Sequence, residues 1–415
     1  MSNTLILINI HTLAGIDTSS KRLKAGAEME RFDSISNAWL KIKNGIIDDF
    51  GTGEISPENS SESEIIDCKQ GHVLPSFCDS HTHLIYAGSR EIEYIDKIRG
   101  LSYEEIAKRG GGILNSAKRL HNTSEEELYV DALIRINEII QWGTGAVEIK
   151  SGYGLNTEDE LKMLRVIRRI KETTPLIIKS TFLGAHAVPQ EFKGRQGAYV
   201  DLIINEMIPK VAEERLADYI DVFCDKGFFT VEETERILEA GIEYGLRPKI
   251  HANELDYSGG IQTGVKYGAL SVDHLEYTGD EEINVLKNST TMPTLLPGAA
   301  FFLNMVHAPV RKMINSGLPV ALASDFNPGS SPSGNMQLIL SMGCIMFRMI
   351  PQEAFNATTL NGAYAMGISD KAGSITKGKV ANLYITMPVP NIEYLPYYYG
   401  FNKIDRVILQ GRLID

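Results

Sequence analysis

Residues 73–83 read VLPSFCDSHTH. An apolar run closes on Asp79-Ser80-His81-Thr82-His83, and how that run is read decides the fold. Side chains alternate faces along a strand, so His81 and His83 point the same way and can share one borderline-soft divalent ion. Taken alone, an H-x-H is as readily two solvated histidines. Its surroundings change that reading. Seven further apolar runs follow: GAVEIKSG (145–152), PLIIKSTFLGAH (175–186), DYIDVFCD (218–225), RPKIHAN (247–253), LSVDHLEY (270–277), TTMPTLLP (290–297) and PVALASDFN (319–327). Between them lie amphipathic helical stretches such as TEDELKMLRVIRRIKETT, TVEETERILEAGIEYG and PVRKMINSG. Eight strands alternating with helices are what a closed parallel barrel needs, and such barrels keep their chemistry at the C-terminal strand ends. His81 and His83 end the first strand, His251 the fifth, His274 the sixth and Asp325 the eighth.

The flanks have another texture. Residues 1–72 read as short alternating strands with an Asn44-Gly45 hairpin signal and an exposed Ser/Glu-rich loop, GEISPENSSESE (53–64). The tail KGKVANLYITMPVPNIEYLPYYYGFNKIDRVILQGRLID returns to strand and turn. We therefore expect an α/β protein: a TIM-type (β/α)8 barrel over 73–365, with 1–72 and 366–415 joined as one composite β-sandwich domain.

Bulk properties narrow the partners. With 415 residues and a formal charge of -12, the chain suits neither nucleic acid nor an anionic membrane, though a local arginine can still bind a small anion. The four cysteines, Cys68, Cys78, Cys224 and Cys344, form no C-x-x-C pair and read as reduced thiols, which points to the cytoplasm. MSNTLILINIHTLAG reads as a first strand rather than a signal peptide, and no apolar run has membrane-spanning length.

H-T-H on the first strand, histidines on the fifth and sixth, and aspartate on the eighth resemble the amidohydrolase superfamily. Its binuclear members carry a bridging Lys or Glu on the fourth strand, where DYIDVFCD offers neither in position, which favours a mononuclear site. HTHLIYAGSRE (81–91), RGGGIL (109–114), EIKSGYGL (148–155), FLGAHAVP (182–189), HANEL (251–255) and SDFNPGSSP (324–332), in that order, are similar to the imidazolonepropionase family within it. That resemblance implies hydrolysis of the cyclic amide C–N bond of 4-imidazolone-5-propanoate to N-formimidoyl-L-glutamate. It implies His81, His83, His251 and Asp325 as ligands of one divalent ion, zinc or iron. It also implies Arg90, Tyr103, Tyr153, His186, Glu254, Asn327, Gly329 and Ser330 as substrate contacts, and a homodimer.

Residue chemistry agrees with those roles. Asp325 can take a proton from an attacking water, His274 can stabilise the developing oxyanion, and Glu254 can protonate the leaving nitrogen. Arg90 offers a planar fork to a small anionic heterocycle's carboxylate, with Tyr153 and His186 completing that pocket. Blander readings compete: Arg90 paired with Glu91 or Glu93, Tyr153 as turn packing, His186 satisfied by backbone. The triple glycine at 110–112 lacks the Gly-Lys-Ser/Thr of a phosphate loop and is expected to end a helix. His11, His72, His121 and His307 are read as structural. Two other functions fit the same pattern: a mononuclear deaminase of a nucleobase-like or guanidine-like ring, which would not need the anion pocket, and a non-catalytic scaffold, which would not need the ligands.

Overall fold

The computed structural model describes residues 4–19, 21–55, 63–101 and 111–414. Tyr103 and most of the 53–64 loop lie outside the described residues.

All eight expected strands form one parallel sheet in chain order: Phe77–Thr82, Thr144–Lys150, Ile177–Ala185, Tyr219–Cys224, Arg247–Ala252, Ser271–His274, Met292–Leu295 and Ala321–Leu322. The last meets the first through a parallel bridge from Phe326 to Thr82. There the Asp325 N–H donates to the His81 carbonyl at 3.0 Å and the His83 N–H to the Phe326 carbonyl at 2.9 Å. The closure therefore runs through the candidate ligands themselves. Strands buried on both faces are expected to be nearly all apolar. Val147, Ile178, Val222, Ile250, Val272, Leu295 and Leu322 obey this and form one core with the surrounding helices. Glu148, Lys150, Asp221, Lys249 and Asp273 break the rule while staying sealed from solvent.

The helices begin where the sequence supplies caps. Ser124 with Glu127, and Thr230 with Glu233, form capping boxes, and the Asn156 side chain caps Thr157–Thr173. Gly112 has a φ of 83° and opens the helix Ile113–His121, while Gly110 and the stretch before it, where a helix is expected to end, lie outside the described residues. Its backbone N–H donates to Glu93 Oε2 at 2.9 Å.

Both chain ends contribute to a second, mixed sheet of eight strands. Thr4–Ile16 pairs antiparallel with Asp33–Lys43 and parallel with Glu64–Asp67 and His72–Pro75, and Leu383–Thr386 pairs with His72–Pro75. The Asn44-Gly45 hairpin forms as expected, with φ of 51° and 81°. This sheet has its own core of Leu5, Leu7, Ile10, Leu40, Leu383 and Ile408. The stretch VLPSFCDSH, expected to be one strand from residue 73, is divided. His72–Pro75 belongs to the mixed sheet and Phe77–Thr82 to the barrel. Pro75 has no N–H for a ladder, and the two next amides turn to different sheets: Ser76 N–H to the Asn382 carbonyl at 3.0 Å, Phe77 N–H to Gly143 at 2.9 Å. The chain thus passes from one sheet to the other at Ser76. Cys68, Cys78, Cys224 and Cys344 are all free thiols. No helix among the described residues is long and apolar enough to cross a membrane.

Candidate metal centre and cavity

At the C-terminal ends of the strands the imidazoles converge. His83 Nε2 lies 3.2 Å from His81 Nε2 and 3.3 Å from His251 Nε2. Asp325 Oδ1 stands 3.5 Å from the Nε2 atoms of both His81 and His83. A tetrahedral ion with donors at about 2.0–2.1 Å separates neighbouring donors by about 3.3 Å, so the spacing of these four atoms suits a divalent cation. His81, His83 and Asp325 form one possible ligand group, and His81, His251 and His274 a second. All five residues are buried.

Neutral, lone-pair-bearing nitrogens are what a cation needs. Burial, together with the neighbouring Lys150 and the other histidines, drives His81 well below the usual histidine range, and burial with His186 and His251 does the same to His83. His81 donates its Nδ1–H to Asp273 Oδ2 at 2.7 Å, which fixes the tautomer that aims Nε2 at the centre. His251 has Nδ1 3.0 Å from Asp221 Oδ2, and its backbone N–H donates to Asp221 Oδ1 at 3.1 Å. Asp325 sits at a φ of 53° and His274 at 85°, left-handed backbone that ordinary residues adopt at a cost and that collects at functional sites.

The loop after the eighth strand supports Asp325. The Ser330 hydroxyl donates to Asp325 Oδ2 at 3.0 Å, and the Asn327 amide donates to the Asp325 carbonyl and to Ser330 Oγ, both at 2.6 Å. Asn327 Oδ1 in turn accepts the backbone N–H groups of Gly329 and Ser330 at 2.7 and 2.8 Å. Burial pushes the Asp325 carboxyl up to about 6.

Over this centre opens a cavity of about 440 Å³, lined among others by Arg90, Tyr153, His186, Glu254, His274 and Gly329. The surface-pair reading of Arg90 fails. Its Nε donates to Ser116 Oγ at 2.9 Å, its guanidinium lies 5.7 Å from the Tyr153 ring, and its Nη2 is buried without a partner among the described residues. Gly329 packs against that guanidinium, leaving no room for a Cβ. The His186 ring stacks on His83 with centroids 5.1 Å apart, and its Nδ1 donates to the Gly152 carbonyl at 2.9 Å. Burial lowers His186 to about 3, so the neutral ring keeps Nε2 as an acceptor.

Glu254 Oε2 lies 3.6 Å from His274 Nε2. Burial, then the charges of Asp325 and Asp225, raise the Glu254 carboxyl to about 8. Asp225 holds the loop by accepting the backbone N–H groups of Glu254 at 2.7 Å and Leu255 at 3.0 Å. The residues that the sequence reading missed are Asp221 and Asp273 behind the histidines. The available signal was charge inside an otherwise apolar barrel strand, as in DYIDV and SVDH.

The amidohydrolase family matches residues 72–414. The imidazolonepropionase of Flavobacterium johnsoniae is 54% identical over 409 residues, 99% of each chain. That of Christiangramia forsetii is also 54% identical, over 99% of this chain and 100% of its own. The one from Geobacillus kaustophilus is 43% identical, over 97% and 95%. Two solved structures share the fold alone. Triazine hydrolase from Arthobacter aurescens superposes with a TM-score of 0.74 at 13% identity, over 99% of this chain and 94% of its own. Guanine deaminase from C. acetobutylicum gives 0.69 at 17%, over 100% of both. Matched by the family along the barrel and by these relatives along nearly its whole length, the protein belongs to the amidohydrolase family, among its imidazolonepropionases.

Proposed function

We propose that this enzyme opens the ring of 4-imidazolone-5-propanoate by hydrolysis, giving N-formimidoyl-L-glutamate in histidine degradation. The observation that carries the reading is one cavity with a three-histidine, one-aspartate centre at its floor and, at its side, a half-buried Arg90 whose Nη2 is sealed without a partner among the described residues. A neutral nucleobase would have no use for that guanidinium.

The Arg90 fork takes the propionate carboxylate, helped by Tyr153, with Tyr103 and Ser330 as further contacts. His186 has its Nδ1–H engaged by Gly152, so it accepts a ring N–H rather than donating to the carboxylate. Asn327 and Gly329 shape the turn beside the ring. His81, His83, His251 and Asp325 hold one zinc or iron ion, which when bound supplies Lewis-acid polarisation and activates water near neutral pH. Asp325 receives the proton of the attacking water, and His274 hydrogen-bonds the oxygen on which charge develops. Glu254, which carries a proton at neutral pH, delivers it to the departing ring nitrogen as the tetrahedral intermediate collapses. An expelled amidine-type nitrogen leaves poorly without that proton.

The same reading includes a division into 1–72 with 366–415 and 73–365, a homodimer, and a cytoplasmic setting. The test is a product assay with freshly generated imidazolone propionate, run beside elemental analysis of protein purified without chelator. Formimidoylglutamate that scales with about one equivalent of zinc or iron is the expected result. Release of ammonia from a nucleobase instead, or two equivalents retained after dialysis, overturns it.

A further inference from the structure

Beneath the histidines, where the barrel should hold only Val, Ile and Leu, five charged side chains interlock. Glu148 and Lys150 come from the second strand, Asp221 from the fourth, Lys249 from the fifth and Asp273 from the sixth, each at most 1% exposed. Lys150 Nζ donates to Glu148 Oε1 at 2.7 Å and to Asp221 Oδ2 at 2.8 Å, and lies 3.7 Å from Asp273 Oδ2. Lys249 Nζ donates to Glu148 Oε2 and to the Ser80 carbonyl at 3.0 Å, and lies 4.0 Å from Asp273 Oδ2. Thr181 and Ser271 hydroxyls take up further carboxylate lone pairs, Glu148 Oε1 at 2.7 Å and Asp273 Oδ1 at 2.6 Å. Toward the cavity the lattice ends on two groups, His81 through Asp273 and His251 through Asp221.

Buried ion pairs are a poor way to stabilise a core, since well-packed apolar residues of similar volume do as well or better. This lattice therefore calls for a reason other than stability. Lys150 reaches both carboxylates that face histidines, Asp221 at 2.8 Å and Asp273 at 3.7 Å, while Lys249 lies 4.0 Å from Asp273 and shares Glu148 with Lys150. Without the lysines, Asp221 and Asp273 would be like charges sharing an apolar barrel with Glu148, free to turn away from the imidazoles. With them, the lattice carries one net negative charge, and Asp325 adds a second at the cavity floor. Together they match a single divalent ion.

We infer that Lys150 and Lys249 are positioning residues of the cation centre, clamping Asp221 and Asp273 so that His251 and His81 present their Nε2 atoms in register. The inference rests on the proposed reading of His81, His83, His251 and Asp325 as the cation's ligands. The experiment measures zinc release from the zinc-loaded enzyme into excess chelator, beside thermal unfolding of the same samples. Loss of such supporting groups typically weakens metal binding about 10–100-fold, so Lys150→Met and Lys249→Met should release zinc about 10–100 times faster than wild type while folded. A plain structural brace predicts a lower Tm with wild-type release, and that result overturns the inference. If neither lysine variant folds, Asp273→Asn decides instead, since it keeps the shape and an acceptor for His81 but removes the charge that the lysines hold. Release about tenfold faster supports the clamp, and unchanged release overturns it. Wild-type protein that binds no zinc or other divalent ion would sink the ligand reading itself, and the clamp with it.

Discussion

The floor and the mouth of the cavity are built on opposite plans. At the floor, His81, Asp273, Lys150 and Glu148 are fully sealed, and each side chain is held by others at 2.7 Å. At the mouth, the helix Glu91–Ile98 carries Lys97 and Tyr94 over the opening and buries no residue. Ile92 and Ile98 are 66% and 67% exposed, and the helix meets its surroundings through Tyr94 and Lys97 on the Phe302 ring, each 5.2 Å away, and through Glu93, which accepts from the Gly112 N–H at 2.9 Å and the Asn115 amide at 3.0 Å. Polar groups deprived of water must satisfy one another, so the floor admits one arrangement. A segment with few buried apolar contacts opens at little cost in free energy, so the mouth can admit and release a substrate. The difference teaches that atomic placement for the chemistry comes from the barrel interior, and access comes from elements barely packed on it.

Breaking the floor should have the largest effect. On the proposed reading Asp325→Ala removes a ligand and the proton acceptor together, and kcat should fall by about 10⁴-fold, the upper end for loss of a single acid–base group. Elemental analysis on the same sample should show reduced metal. Near-wild-type turnover would separate the cavity floor from the reaction.

One step above the floor, Glu254→Gln sharpens the line between chemistry and ligation. It should keep its metal while losing about 10²–10³-fold in kcat, because glutamine is nearly isosteric but cannot give up a proton. Unchanged kcat with full metal would remove Glu254 from catalysis. Lost metal would make it a support for His251 instead.

Between floor and mouth, Arg90→Ala should cost about 2–4 kcal/mol in kcat/KM, or about 30- to 700-fold, through loss of a desolvated charge-assisted pair. Lysine at the same position should rescue poorly for want of the planar fork. Full activity in Arg90→Ala would revive a deaminase acting on a neutral ring.

The smallest effect belongs to the mouth. Ile98→Ser should change stability by no more than about 0.5 kcal/mol, whereas Ile136→Ala, fully buried in the barrel core, should lose about 2–5 kcal/mol in chemical denaturation. Equal losses in both would show that the mouth helix packs as firmly as the barrel.

What the sequence determined by itself was whatever repeats locally. Eight apolar runs with the right spacing specify a parallel barrel, because strands buried on both faces are apolar at nearly every position. H-T-H specifies two imidazoles on one side, because side chains on a strand alternate, and Asn44-Gly45 specifies its hairpin, because a tight two-residue turn needs positive φ twice. The ends of four strands therefore named His81, His83, His251, His274 and Asp325 before any coordinates. Tertiary structure alone decided what those residues meet. Asp221 and Asp273 stand 30 and 192 residues from the histidines they orient. No local pattern pairs Lys150 with a carboxylate from the fourth strand, or Lys249 with one from the second. Nor could sequence place the handover at Ser76, since it depends on which sheet offers a carbonyl to each amide. That His186 spends its donor on Gly152, and so turns an acceptor to the cavity, likewise follows from one hydrogen bond across a loop. Local propensities set the elements, and only the closed barrel brought these distant charges within reach of one another.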